Sequence, residues 1–160
     1  LAAVGVEWVS TLVVNHFASV KRHAFSLLAG FVGLYLLVCC YRIHPYYLDF
    51  YGEQVGGSES VANDLGYEIA WWGEGMSESL DYINANAPQN SRVYRCVGAL
   101  GHLAWLRGDL WKRATVGNAN YYLVYQPHLQ RKRCPVPASA RLVQQSKADG
   151  AVLSAVYKVD

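Results

Sequence analysis

Polar and apolar residues are distributed very unevenly along this chain. Ala24 to Tyr41, AFSLLAGFVGLYLLVCCY, is 18 residues without a charge, preceded by Lys21-Arg22-His23 and followed by Arg42. At about 1.5 Å of rise per residue, such a run spans about 27 Å as a helix, close to the ~30 Å hydrocarbon core of a bilayer. The helix would be apolar on all sides, which suits lipid or the middle of a large protein. Cations at both ends, with Tyr41, Tyr46, Tyr47 and Tyr51 near one of them, fit a span with interfacial flanks. The expectation is a transmembrane helix over about 24–43, closed near His44 because Pro45 disfavours helix at the residue before it. A buried core helix is the other reading.

Leu1 to Val14 is apolar apart from Glu7 and too short to span alone. It reads as the end of a preceding membrane helix in a chain that starts inside a longer sequence. Asn15 to His23 becomes a short loop bearing Lys21 and Arg22, and the positive-inside bias puts that loop in the cytoplasm. Everything after Tyr41 is then extracytoplasmic. Arg42 to Gly57, RIHPYYLDFYGEQVGG, reads as an interfacial segment with His44, Tyr46, Tyr47 and Tyr51 at headgroup depth, or compatibly as an aromatic-rich loop packed on the following domain, and Ser58 to Asn63 as polar linker.

Beyond residue 66 the periodicity changes to that of a small packed domain. Tyr67 to Trp72 is a β-prone run. Met76, Leu80, Ile83 and Ala87 mark one helix face that must stop before Pro88. Arg92 to Val97 reads as a strand, Leu103, Leu106 and Leu110 as a second helix face, and Tyr121 to Tyr125 as a strand stopped by Pro127. Ala140–Gln145 and Ala151–Val159 flank Asp149-Gly150, a hairpin signal, with a helix over 138–147 as runner-up. The predicted class is α/β (α+β): one complete and one partial transmembrane helix (1–45), an interfacial stretch and linker (46–66), and an extracytoplasmic mixed-sheet domain (67–160) ending in a β-hairpin.

Composition sharpens this division. Glu7, Lys21 and Arg22 are the charged residues of the first 41, and the other 23 lie beyond them. A net charge of +2, with basic residues scattered apart from Arg131-Lys132-Arg133, gives no reason to expect nucleic acid. Cys39 and Cys40 sit in the apolar run as small fillers. Cys96 and Cys134 have neither CxxC spacing nor paired histidines, so zinc is not indicated. They form a disulfide in an oxidising compartment or remain two separate thiols.

An apolar helix running into HPYYLDFYGEQVGG resembles the junction after the last membrane helix of multi-spanning GT-C glycosyltransferases, the dolichyl-phosphate-mannose mannosyltransferase-like superfamily. Gly52 stands where these usually have Asn, and Gln54 follows Glu53. Tyr67 to Pro88, YEIAWWGEGMSESLDYINANAP, resembles their "YWG" segment through Trp71-Trp72-Gly73. Tyr121 to Arg133 and Gly150 to Lys158 resemble two later blocks in the same order, so the likeness covers most of residues 40 to 160. It implies a parent enzyme that moves a sugar from a polyprenyl-phosphate carrier to an acceptor. Its catalytic acid would lie in an early extracytoplasmic loop, upstream of this chain, so no catalytic residue carries over. The implied partners are the bilayer, the rest of the parent protein and the lipid-linked sugar donor, with no other cofactor.

Among the polar residues, Glu74 beside Trp71 and Trp72 is the most suggestive. Indole faces stack on sugar C–H surfaces and a carboxylate accepts hydroxyl hydrogen bonds, so these three are the substrate-binding candidates. Alternatively, the tryptophans are core or interface anchors and Glu74 caps the next helix. Asp49 and Glu53 form an i, i+4 pair that a solvated face also explains. Arg131 to Arg133 would meet lipid phosphate or form a solvated loop. The five histidines are dispersed, without HExxH, and no P-loop or dinucleotide fingerprint occurs, so no metal site is indicated. The competing class is a membrane-tethered extracytoplasmic binding or assembly module without catalysis.

Overall fold

The computed structural model describes residues 5, 7–9, 11, 24–96, 105–130 and 133–159, without the side chains of 24, 25 and 130. The partial helix expected over Leu1 to Val14 and the loop to His23 fall almost wholly outside them. The chain divides into two compact units, Leu1–Arg42 and Ile43–Asp160. Helix α1 runs Ala24–Ile43, in the first unit up to Arg42, which lies in its last turn, where a cation complements the helix dipole. Phe31, Leu34, Leu36 and Leu37 are all exposed. Ser26–Ile43 is the one stretch among the described residues long and apolar enough to cross a bilayer.

The second unit is mixed α/β. It contains α2 (Gly57–Asn63), α3 (Met76–Asn86), β1 (Val93–Cys96), β2 (Tyr121–Tyr125), α4 (Pro127–Gln130), β3 (Arg141–Ala148) and β4 (Ala151–Lys158). The sheet order is β1-β2-β4-β3, with β1 and β2 parallel and the other pairs antiparallel. β3 and β4 are joined through Asp149-Gly150, both at positive φ, as a two-residue reversal requires. Residues 141–148 are therefore strand rather than helix.

Helix α3 forms where the apolar spacing places it, with Met76, Leu80 and Ile83 buried against Leu123, Leu153 and Val156 of the sheet. Burying three such side chains contributes about 1.5–3 kcal/mol each. Ala87 ends the helix in extended conformation just before Pro88. Arg107 then holds the exposed carbonyls of the last turn. Its guanidinium donates to the Asn84 and Ala87 carbonyls and pairs with Asp109 at 2.9 Å. A bulge in β4 also serves this packing. Ser146 pairs with Ser154 and Lys147 with Val152, leaving Leu153 over, so Leu153 and Ser154 both reach toward Gly75 at the start of α3.

Three expectations differ from what forms. Ser58–Asn63 is not linker: it lies in α2, with Ser58, Val61 and Ala62 buried, because Val61 and Ala62 supply an inward face to an otherwise polar segment. Tyr67 to Trp72 adds no strand. Its backbone groups bond instead to Val61 and to the side chains of His128 and Gln126, leaving Ile69 and Ala70 fully enclosed. Leu103 lies outside the described residues, and Leu106 and Leu110 are core residues on turns, where the Asn84 side chain donates to the Trp105 carbonyl and accepts the Arg107 N–H.

Candidate functional site

The candidate site is built where the chain leaves the core at Ala70 and enters α3 at Met76. Ala70 is enclosed, its carbonyl accepting from the Gln126 amide. The next two side chains turn outward: Trp71 is 65% and Trp72 77% exposed. Gly73, at φ 92°, donates its N–H to the Tyr125 hydroxyl at 2.9 Å. Glu74 Oε2 accepts the Trp72 N–H at 2.8 Å and the Tyr125 hydroxyl at 3.3 Å. Both bonds use Oε2, so Oε1 has no hydrogen bond among the described residues. Glu74 does not cap α3. Gly75 precedes that helix without a side-chain cap. The carboxylate bends back over its own loop and is fixed from β2.

Gly75 is required by the close approach of the loop to the sheet. Its φ is 75°, and an added Cβ would lie 2.9 Å from the Cβ atoms of both Leu153 and Ser146. Ser154 Oγ donates to the Gly75 carbonyl at 2.6 Å and lies 2.7 Å from Ser79 Oγ, pinning loop and helix to the bulge. The tryptophans thus project from a rigid base.

Asp49 lies behind this loop. It is 0% exposed, and neither carboxylate oxygen has a hydrogen-bond partner among the described residues. Burial, followed by the nearby charge of Glu74, pushes its pKa up to about 7. A solvated Asp49–Glu53 helix face is not what forms: Asp49 closes one 3₁₀ turn, Tyr47–Asp49, and Glu53 opens another, Glu53–Val55. Asp49 sits inside while Glu53 is exposed. Burial also raises the Tyr125 hydroxyl to about 12, with the Glu74 charge adding to it. The Tyr46 hydroxyl donates to Glu78 and is likewise held well above its ordinary range, by burial first. These groups are shielded from solvent and support the loop rather than offering chemistry at its surface.

The four interface candidates separate. His44 and Tyr47 are exposed and paired to each other, His44 Nδ1 to the Tyr47 hydroxyl at 2.7 Å. Tyr46 and Tyr51 pack against the core instead. Cys96 and Cys134 are disulfide-bonded, with Cα atoms 5.7 Å apart, tying β1 to the segment after α4. Of the basic run, Arg131 and Lys132 lie outside the described residues and Arg133 is exposed. No group of metal-ligating side chains assembles among the described residues. A separate groove of about 540 Å³ opens over the other sheet face, walled by Val124, Ala155, Tyr157, Pro135 and His128, and it includes none of Trp71, Trp72 or Glu74.

The sequence marks the Trp71-Trp72-Glu74 trio, but it offers Asp49 only as half of an i, i+4 pair with Glu53 and gives no sign of Tyr125, the two groups on which the Glu74 charge acts. Tyr125 sat in an apolar strand with no sign that its hydroxyl would reach Glu74. Comparison of the chain with family models, curated proteins and solved structures finds no match in any of the three.

Proposed function

We propose that this chain is the C-terminal part of a membrane glycosyltransferase that moves a sugar from a polyprenyl-phosphate-linked donor to an acceptor. In this reading α1 is the last transmembrane helix of a multi-pass protein. The α/β unit lies outside the cytoplasm, capping the catalytic cavity or selecting the acceptor, while the catalytic acid belongs to the parent protein upstream. The observation that carries the proposal is the Trp71-Trp72-Glu74 arrangement. Two exposed tryptophans precede a carboxylate that accepts the Trp72 N–H and whose Oε1 has no hydrogen bond among the described residues, a combination suited to stacking on a sugar ring and accepting its hydroxyls. The order of sequence blocks resembling GT-C enzymes supplies the reaction class, and the Cys96–Cys134 bond fits an oxidising compartment.

The test is binding of a polyprenyl-phosphate sugar to the chain in lipid nanodiscs, followed by tryptophan emission. Saturable binding is expected. Glu74→Gln should weaken it by about tenfold, as loss of a charge-assisted hydrogen bond would. No saturable response to any lipid-linked sugar would count against the proposal. It would leave the alternative, a membrane-tethered binding or assembly module, which the same exposed tryptophans also suit.

A further inference from the structure

The surface that carries the tryptophans is larger than the candidate site. Tyr47, Leu48, Phe50, Val55, Leu65, Tyr67, Trp71 and Trp72 are all exposed large apolar side chains within 26 consecutive residues of the second unit. The structure gathers them at one end of that unit. Tyr51 donates to the Glu68 carbonyl, Tyr46 to Glu78, and Ser58 to the Asp49 carbonyl, while the Glu74 charge acts on Asp49. Residues 46–58 and 65–78 therefore belong to the same end, where α3 begins. Trp105 and Trp111 belong to the other: the Trp105 carbonyl bonds Asn84 in the last turn of α3, and Trp111 bonds Ser91 just beyond it. Eleven helical residues, about 16 Å of rise, separate the two ends.

The end rich in exposed aromatics is also the end at which the chain enters the second unit, at Ile43. Ile43, the last residue of α1, sits in the core of the second unit, and Leu48 follows five residues later, within about 18 Å of chain. We infer that this end is a membrane-seating surface, with Tyr47, Leu48, Phe50, Leu65, Tyr67, Trp71 and Trp72 lodged in the headgroup layer of the bilayer that α1 crosses. The inference rests on reading α1 as a span. Chemistry favours lipid as the occupant. Tyr and Trp with scattered aliphatics are the residues that settle at the membrane–water boundary, where an apolar body and a polar tip are both satisfied. The exposed acids at this end, Glu53, Glu59, Asp64 and Glu68, point to zwitterionic rather than anionic headgroups. A seat of this kind would hold the candidate site at the depth of the carrier phosphate of a lipid-linked sugar.

Full-chain proteins with a single tryptophan, the others changed to phenylalanine, test this in phosphatidylcholine vesicles. Lipids brominated at shallow or deep acyl positions serve as quenchers, with acrylamide in the water. Proteins retaining Trp71 or Trp72 should lose about half their emission to shallow bromines, less to deep ones, and little to acrylamide. The protein retaining Trp111 should respond to acrylamide alone. A tryptophan-free background carrying Phe31→Trp reports on α1 and should be quenched most by deep bromines. If Phe31→Trp reads deep while Trp71 and Trp72 behave like Trp111, the seating surface is overturned and the span stands. If Phe31→Trp reads aqueous, the span falls and the inference with it. Oxidative footprinting of the unaltered chain gives a second readout: Trp71 and Trp72 should be protected in nanodiscs relative to Trp111, and equal oxidation would refute the proposal.

Discussion

Replacing Asp49 with asparagine should flatten the dependence of stability on pH. The side chain is 0% exposed, its oxygens have no partner among the described residues, and its pKa stands at about 7 against an ordinary 3.8. A raised pKa means that the folded protein binds the proton more tightly than the unfolded chain does. Stability from this group is therefore fully present below about pH 3.8 and is lost as pH rises toward 7. At about 1.4 kcal/mol per pH unit, the full loss is about 4 kcal/mol, of which about 3 falls between pH 5 and pH 8. The groups facing Asp49 are Glu74, whose charge adds to the shift, and Tyr46, which bonds Glu78 and stays protonated throughout this range.

Asp49→Asn is nearly isosteric with the protonated acid but cannot ionise. An enclosed, unpartnered amide still costs about 1–3 kcal/mol, so the gain at pH 8 should be about 1–3 kcal/mol and the effect at pH 5 close to nil. The assay is guanidinium unfolding in detergent micelles at pH 5 and pH 8, followed by the tryptophans of the second unit. The wild type should lose markedly more stability than the variant between the two pH values. Parallel behaviour would refute the argument and place the Asp49 carboxylate in contact with water or with a partner.

Other consequences are equally specific. Gly75→Ala should destabilise by about 1–3 kcal/mol in denaturant unfolding, because φ 75° and contacts at 2.9 Å leave no room for a Cβ. Ser154→Ala should cost about 1–3 kcal/mol by orphaning the Gly75 carbonyl. Ser79→Ala should cost less, since Ser154 keeps that carbonyl bond. Arg107→Ala should lower the unfolding midpoint, with Arg107→Lys restoring only part, because an ammonium cannot reproduce the fork onto two carbonyls and Asp109. Reducing Cys96–Cys134, which closes a loop of separation 38, should lower stability by about 4 kcal/mol on the chain-entropy estimate, seen as a shifted unfolding curve in reducing buffer.

Long, strongly patterned segments were legible in the sequence and short ones were not. The uncharged run forms α1, the Met76-Leu80-Ile83 spacing forms α3, and the aromatic and branched run at Tyr121–Tyr125 forms β2. In each, many residues favour the same conformation. The 47–63 region eluded prediction because its order comes from a few long-range contacts. Asp49 is enclosed by what packs around two short 3₁₀ turns, and α2 is held through only Val61 and Ala62. The leucine spacing at 103–110 was misleading for the opposite reason. Its buried members pack from turns held by a side-chain clamp that periodicity cannot reveal. The Trp71-Trp72-Glu74 trio was visible as a cluster, but its geometry depends on Tyr125, more than fifty residues away in sequence.

In the proposed topology α1 crosses a bilayer with the α/β unit on the outer side. The direct measurement is labelling of Ser139→Cys, an exposed position, by a membrane-impermeant maleimide in intact cells, with Cys39 and Cys40 replaced by alanine. Labelling without permeabilisation, on protein that alkaline carbonate does not extract, is the predicted result. Labelling only after permeabilisation, or release of the chain by carbonate, would contradict the topology.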